Sequence, residues 1–402
     1  MKKFDFVCLV CLIVGIALAF ILISQKPLYV DENTHFLTIS NFCRFNFTHP
    51  DFLTTIPGYH FFGGLFGWLT SCTEIWIRAF NLIISVFSFI VFYKITRQLD
   101  IKNSLWKTLL FILLPILFPF FFLIYTDALS LLFVLLMFYF SIKDDHLPAG
   151  IFGLLSFVVR QNNIIWVIFC AVYALLQKRL KIEITSVSIK KMAPYIFVLI
   201  VAGAFFVKNG SFAIGDKAQH PAFFLGPMNI YTALFFFFWI NLPENIFNLK
   251  KIICEFKKLD KIRIIGIVSA AVMFYIFYIF TFKIDHPYNS YQIYSYFLRN
   301  KILHLFDSSI ILRSILFLCI ICSAFSLYVT KFKEKRQYLF YLFSGIFLAM
   351  SWLIENRYFI IPFVLFNLFA IREKKVEKHL VVWYLIITGI YMYLFLGGWT
   401  FW

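Results

Sequence analysis

The chain has 402 residues, of which 62% are hydrophobic and 14% charged, whereas soluble domains run about 45–50% apolar and about 25% charged. That composition excludes a soluble enzyme, a disordered protein and a nucleic-acid-binding domain on a single membrane anchor. The net charge of +17, from 37 Lys+Arg against 20 Asp+Glu, is read as the basic excess that holds cytoplasmic loops inside, not as a surface for a polyanion.

A helix needs about 20 apolar residues to cross a bilayer core. The first such run is Val7 to Ile23, preceded by Lys2 and Lys3, so the N-terminus is expected inside. A cleaved signal peptide is the rival, but the run is long and no small-residue cleavage site follows it. Further basic clusters then mark cytoplasmic loops: Lys94/Arg97/Lys102/Lys107, Lys143, Lys178 through Lys191, Lys250 through Arg263, Lys331 through Arg336 and Arg372 through Lys378. Between them, runs near 76–93, 108–124, 128–142, 192–208, 225–248, 264–282, 308–330, 337–354, 357–371 and 379–397 serve as spans. Residues 147–176 must go out and return, as two short spans turning near Arg160. The expectation is an all-α polytopic membrane protein of about thirteen spans, one domain over 1–402, with its C-terminus outside.

The longest outer segment is 24–75. Within it Tyr59 to Leu69 is apolar, but a span there would break the charge pattern, so an interfacial helix is expected. Of eight cysteines, Cys8/Cys11 and Cys319/Cys322 lie in apolar runs and read as packing. Cys43 and Cys72 both fall in the outer segment, where a disulfide can form. The sequons Asn46-Phe47-Thr48 and Asn209-Gly210-Ser211 also fall outside.

The polar groups left outside are the informative ones, because charges beside spans are costly and usually functional. Tyr29-Val30-Asp31-Glu32 with His35 follows the first span. In a helix Asp31 and His35 share a face, and paired carboxylates there can supply a general base; the plainer alternative is an acidic helix N-terminus. Asp51 with Thr54-Thr55-Ile56-Pro57-Gly58-Tyr59 suits an acceptor contact or a capped turn. Tyr125-Thr126-Asp127 follows in another outer segment. Arg160-Gln161-Asn162-Asn163 offers a donor fork for phosphate or sugar, or is an ordinary hairpin tip. In Gly215-Asp216-Lys217-Ala218-Gln219-His220, Lys217 and His220 can meet an anion. Asp285-His286-Pro287 leads into Tyr288, Tyr291, Tyr294, Tyr296 and Arg299, a pattern that suits sugar stacking as well as an aromatic belt. In Glu355-Asn356-Arg357-Tyr358, Arg357 can clamp a lipid-linked phosphate or neutralise Glu355. There is no Walker loop, dinucleotide fingerprint, zinc motif or nucleophile elbow, and no soluble domain for a nucleotide-sugar. A donor delivered within the membrane, such as a polyprenyl-phosphate sugar, fits these facts. A transporter or flippase is the other class, and it expects ionisable groups near mid-membrane.

These motifs, in this order, resemble the Dol-P-glucose-dependent α-1,2-glucosyltransferase family, which adds the last glucose to the lipid-linked N-glycan precursor. The family pattern Asp-Glu-x-x-His reads Asp31-Glu32-Asn33-Thr34-His35, followed by Cys43 and Thr54-Thr55-Ile56-Pro57-Gly58-Tyr59. Its Arg-Gln-Thr-Asn-Ile-x-Trp is matched by Arg160-Gln161-Asn162-Asn163-Ile164-Ile165-Trp166, its Gly-Asp-Lys-x-x-His by Gly215 through His220, and its Glu-x-Arg-Tyr-x-Ile-x-Pro by Glu355 through Pro362. Two departures stand out. His286-Pro287 is followed by a short Tyr288-Asn289-Ser290-Tyr291 without the family's Arg-His, and the family's Trp before the Thr-Thr stretch is replaced by Thr48-His49-Pro50-Asp51.

The resemblance implies a GT-C type fold in the endoplasmic reticulum membrane, with interfacial helices and the catalytic site in the first lumenal loop, 24–75. It implies an inverting transfer from dolichyl β-phosphoglucose to a di-glucosylated, dolichyl-diphosphate-linked oligosaccharide; a mannosyl or other polyprenyl-phosphate-sugar transferase is the runner-up. Asp31 is expected as the base, with Glu32 its rival and His35 orienting it. Arg160, Lys217, His220 and Arg357 are expected at the donor phosphate, and Asp51, Tyr59, Asn162, Asp216, His286 and Glu355 at the acceptor and sugars. No metal or other cofactor, no nucleic acid and a monomer among membrane lipids complete the expectation.

Overall fold

The computed structural model describes residues 3–51, 53–176 and 186–400. Among them the chain is helical, with an isolated antiparallel bridge between Phe332 and Ala370. Among the described residues, five helices are long and apolar enough to cross a membrane: Glu74–Leu99, Lys190–Asn209, Lys261–Thr281, Ile310–Val329 and Lys374–Leu396. Their outward residues are apolar too. On Lys261–Thr281, Ile265, Val268, Val272, Met273, Ile276 and Phe280 are all exposed, a surface that matches hydrocarbon and not water.

Two of the shorter apolar helices sit inside this shell. Thr126–Ile142 and Ile360–Phe369 are apolar on nearly every face and are buried along most or all of their length, as a helix hydrophobic all round must be. Their aromatic side chains interlock, as Phe138 does against Phe369 with centroids 5.4 Å apart, within a core drawn from all parts of the chain.

Two expected spans take a different form. Residues 108–124 are not one helix: Ser104–Ile112 ends early and a 3-10 turn, Phe118–Phe121, follows. Pro115 and Pro119 lack the N–H groups that a continuous helix would need there. The run 225–248 breaks at Asn241 into Met228–Ile240 and Leu242–Lys257, bent by 93°. Pro243 cannot donate to the Trp239 carbonyl, which accepts instead from Trp383 Nε1 at 2.8 Å. A buried ion pair holds the bent segment in place: Arg372 donates to Glu244 through Nε at 3.0 Å and Nη2 at 2.9 Å.

The outer segment 24–75 contains two helices, Asp31–Cys43 and Gly58–Leu69, the second over the stretch read as interfacial. They pack closely because glycines line the seam. A Cβ on Gly64 would come within 2.7 Å of Phe42 Cβ, and one on Gly67 within 2.5 Å of Cys43 Sγ. Cys43 and Cys72 are joined by a disulfide. Phe61, Leu65, Trp68 and Leu69 face outward.

Candidate active site

Helix ends and connecting loops from all parts of the chain meet around a cavity of about 330 Å³. Its position is set first by Glu32. Glu32 Oε1 accepts from Arg78 Nε at 3.1 Å and from the Ile124 amide at 2.8 Å; Oε2 accepts from Arg78 Nη2 at 2.8 Å and from the Tyr29 amide at 2.9 Å. Arg78 also donates to the carbonyls of Ile23, Lys26 and Pro27. This buried junction ties the end of the first apolar helix to Glu74–Leu99 and to the entry of Thr126–Ile142. It also holds Val30 at φ 45°, a conformation costly for a β-branched residue that persists only where the surroundings over-determine it. Sequence reasoning passed over Arg78, although a charge inside an apolar run was the available signal.

The turn at Val30 points the neighbouring carboxylates apart. Glu32 is 0% exposed and has no share in the cavity wall, whereas the Asp31 side chain is 45% exposed and lines it. Asp31 Oδ2 accepts from Arg357 Nη2 at 3.1 Å, and the same nitrogen donates to Glu355 Oε2 at 2.9 Å. Arg299 Nη1 lies 2.9 Å from Glu355 Oε1. Arg160 pairs with Asp127 Oδ1, and Arg357 Nη1 is 3.9 Å from Asp127 Oδ2. Three guanidinium groups therefore converge on one cavity, tied together by Glu355 in its wall and by Asp127.

Burial alone would raise the Glu355 carboxyl, but Arg299 and Arg357 outweigh it and bring it down to about 2. Burial works the other way on Arg357, where Glu355, Asp31 and Asp127 prevail and keep it charged. His35 and His220 also line the cavity. Burial pushes both imidazoles below their usual range, and for His35 the neighbouring His60, Arg357 and Arg160 push the same way.

The loop 209–220 closes one side. The amides of Ile214, Gly215 and Asp216 donate in succession to the carbonyls of Thr54 (3.0 Å), Leu53 (3.1 Å) and Asp51 (3.0 Å). A Cβ on Gly215 would overlap the Asp51 carbonyl oxygen, so only glycine fits. This docking turns Asp216 and His220 into the cavity, where Asp216 Oδ2 accepts from the Tyr288 hydroxyl at 3.2 Å. The wall behind Glu355 is built from asparagines. Asn229 Oδ1 accepts from the Glu355 amide at 3.2 Å, and Asn289 Oδ1 from the Ile354 amide at 2.9 Å.

Asp31, His35, Arg160, Asp216, His220, Glu355 and Arg357 are thus brought together. Asn162 lies in an adjoining lobe of about 170 Å³ that shares Arg160, His220 and Tyr358. The other expected residues lie away from the cavity. Lys217 is exposed and donates to the Asn209 carbonyl at 2.7 Å. Asp51 takes part through its backbone carbonyl. Tyr59 is fully buried, its hydroxyl donating to Asn81 at 3.2 Å. His286 is buried behind the wall, with Nε2 3.2 Å from the Gln219 carbonyl and Nδ1 accepting from the Tyr288 amide. The cavity adds Arg299, Tyr125, Tyr288, Tyr294 and Tyr296 to its lining.

The helices and the cavity define a multi-pass membrane protein with an arginine-rich pocket at the ends of its helices. The model of the DIE2/ALG10 family matches residues 25–186 and 176–368. The chain belongs to that family, as its motif order implied. Its relatives include the human Dol-P-Glc:Glc(2)Man(9)GlcNAc(2)-PP-Dol alpha-1,2-glucosyltransferase, 25% identical over 85% of this chain and 83% of the human protein. Proteins of the same name from Drosophila melanogaster (25% identical, 86% and 84% covered) and Candida albicans (24%, 93% and 91%) are similarly related. No solved structure matches the chain.

Proposed function

We propose that this protein is an inverting glucosyltransferase that moves glucose from dolichyl β-phosphoglucose to a di-glucosylated lipid-linked oligosaccharide, forming an α-1,2 bond. The observation that carries the reading is the convergence of an accessible carboxylate, Asp31, with three guanidinium groups in one cavity, in a chain whose relatives bear that activity in their names.

In this reading Asp31 takes the proton of the acceptor hydroxyl as its oxygen attacks the anomeric carbon. The new C–O bond forms on the face opposite the phosphate, and the old one breaks with its electron pair leaving on dolichyl phosphate. Arg160, Arg357 and Arg299 face the charge that develops there, and neutral His220 can add a hydrogen bond. Preorganised donors of this kind are worth about 10²–10³ in rate each, and a positioned base about 10²–10⁴. The scheme calls on no metal or other cofactor. Glu355 and Asp127 keep the guanidinium groups fixed before substrate arrives.

The reading extends to a GT-C type scaffold of about thirteen spans, acting as a monomer in the endoplasmic reticulum membrane with the cavity on the lumenal side. The Cys43–Cys72 disulfide, in the segment that carries Asp31 and His35, supports an oxidising compartment for that segment, and the basic loops support a cytoplasmic opposite end. The test is to incubate the purified protein with radiolabelled dolichyl phosphoglucose and the di-glucosylated lipid-linked acceptor, then map the linkage. An α-1,2-glucosylated product is expected. Transfer of mannose in preference to glucose, or uptake into sealed vesicles without a new glycosidic bond, would overturn it.

A further inference from the structure

Behind Asp31, two histidines from different helices meet. His35 Nδ1 lies 2.9 Å from His60 Nε2, and both side chains are buried. Burial keeps them neutral: His60 is pushed down to about 3, with His49 adding to the effect, and His35 is held well below its usual range. Two neutral imidazoles share two protons over four nitrogens, and one of these must lie between the rings. The remaining atoms decide which arrangement is adopted. His60 Nδ1 is buried and has no hydrogen-bond partner, whereas His35 is part of the cavity wall.

If His35 Nδ1 carried the bridging proton, His60 would need its own proton on Nδ1, leaving a buried N–H with no acceptor. Orphaned buried N–H groups are rare, and under-used acceptors less so. The opposite arrangement leaves only an unused lone pair at His60 Nδ1. We propose that His60 is a positioning residue: it donates from Nε2 to His35 Nδ1 and thereby fixes His35 with its proton on Nε2, as a hydrogen-bond donor to the cavity. In this tautomer His35 cannot take the acceptor's proton. It presents a donor to a carboxylate or hydroxyl oxygen one helical turn from Asp31, and Asp31 is left as the base. The same tautomer logic governs other oriented histidines, whose second nitrogen is set by a partner behind them.

The inference rests on the glucosyltransferase reading, and its test separates the two. In His60→Phe the ring volume remains and the donor is lost; in His60→Gln an amide N–H replaces Nε2–H. Expected is a fall in kcat of about tenfold or more for H60F, with KM for both lipid substrates little changed, and recovery to within a few-fold in H60Q. Thermal melting and an intact Cys43–Cys72 disulfide check that both variants fold. H60F matching wild type with H60Q the slower, as a packing role predicts, would overturn the proposal. Nitrogen-15 histidine spectra of the wild type test the tautomer without substrate: a protonated His35 Nε2 with bare Nδ1 is expected, and the reverse overturns it. A wild type that transfers no glucose defeats the glucosyltransferase reading, while the spectra still decide the tautomer.

Discussion

Arg357 and Asp31 stand 326 positions apart in the chain, yet Arg357 Nη2 donates to Asp31 Oδ2 at 3.1 Å. The pair joins the first outer helix to the loop before Ile360–Phe369, and it places a positive group where a leaving phosphate would need one. Asp31 is the member that remains accessible. Asp31→Asn should therefore reduce glucose transfer by about 10²–10⁴, with donor binding and melting temperature close to wild type. Unchanged transfer in that variant would remove Asp31 as the base.

Glu32 should behave in the opposite way. Both its oxygens are consumed by Arg78 and two backbone amides inside the protein. Breaking one side of a buried pair costs about 3–5 kcal/mol, so Arg78→Met should lower the melting temperature sharply in detergent, and Glu32→Gln should do so as well. A Glu32→Gln variant that melts normally but transfers no glucose would mean that Glu32, not Asp31, does the chemistry.

Glu355 gives a pH dependence whose sign follows from its neighbours. Its folded-state value is depressed from 4.5 to about 2 by Arg299 and Arg357, which outweigh the effect of burial. The unfolded chain then binds the proton first on acidification. The stabilisation is fully present above about pH 4.5 and is lost as pH falls toward about 2. Wild type should lose stability through that window. Glu355→Gln, less stable at neutral pH, should lose less of its remaining stability there. Parallel unfolding curves from pH 5 to 2.5 for the two proteins would contradict this account.

The Cys43–Cys72 disulfide closes a separation of 29 residues across the two outer helices. Cross-links of this size are worth about 2–4 kcal/mol. Cys43→Ser should lower the melting temperature measurably, and transfer should weaken with it because His35 and His60 sit on the two linked helices. Wild-type protein should change mobility on a non-reducing gel when reduced, and Cys43→Ser should not.

Much of the fold was legible because the signal is local. Runs of apolar residues announced the membrane, and the stretch from Tyr59 to Leu69 announced the second outer helix. Where prolines fall inside an apolar run the reading was less good. Pro115 and Pro119 end one expected span and Pro243 bends another, since a missing N–H acts on helix geometry without altering hydropathy. The motifs similarly named most of the cavity's residues; Asp127 and Arg299 stood among the outer polar groups without a role, and their ion pairs with Arg160 and Glu355 supply one.

The sequence by itself determined that this is a membrane protein, which segments are apolar enough to be buried or span, and which family its ordered motifs belong to. Only the tertiary structure decided that Asp31 is open while Glu32 is sealed, that Lys217 and Tyr59 lie off the cavity, and that His60 stands behind His35. Hydropathy is a property of each segment and can be read along the chain. The burial and partners of a charge depend on elements packed against it from hundreds of residues away, and those are settled only when the chain folds.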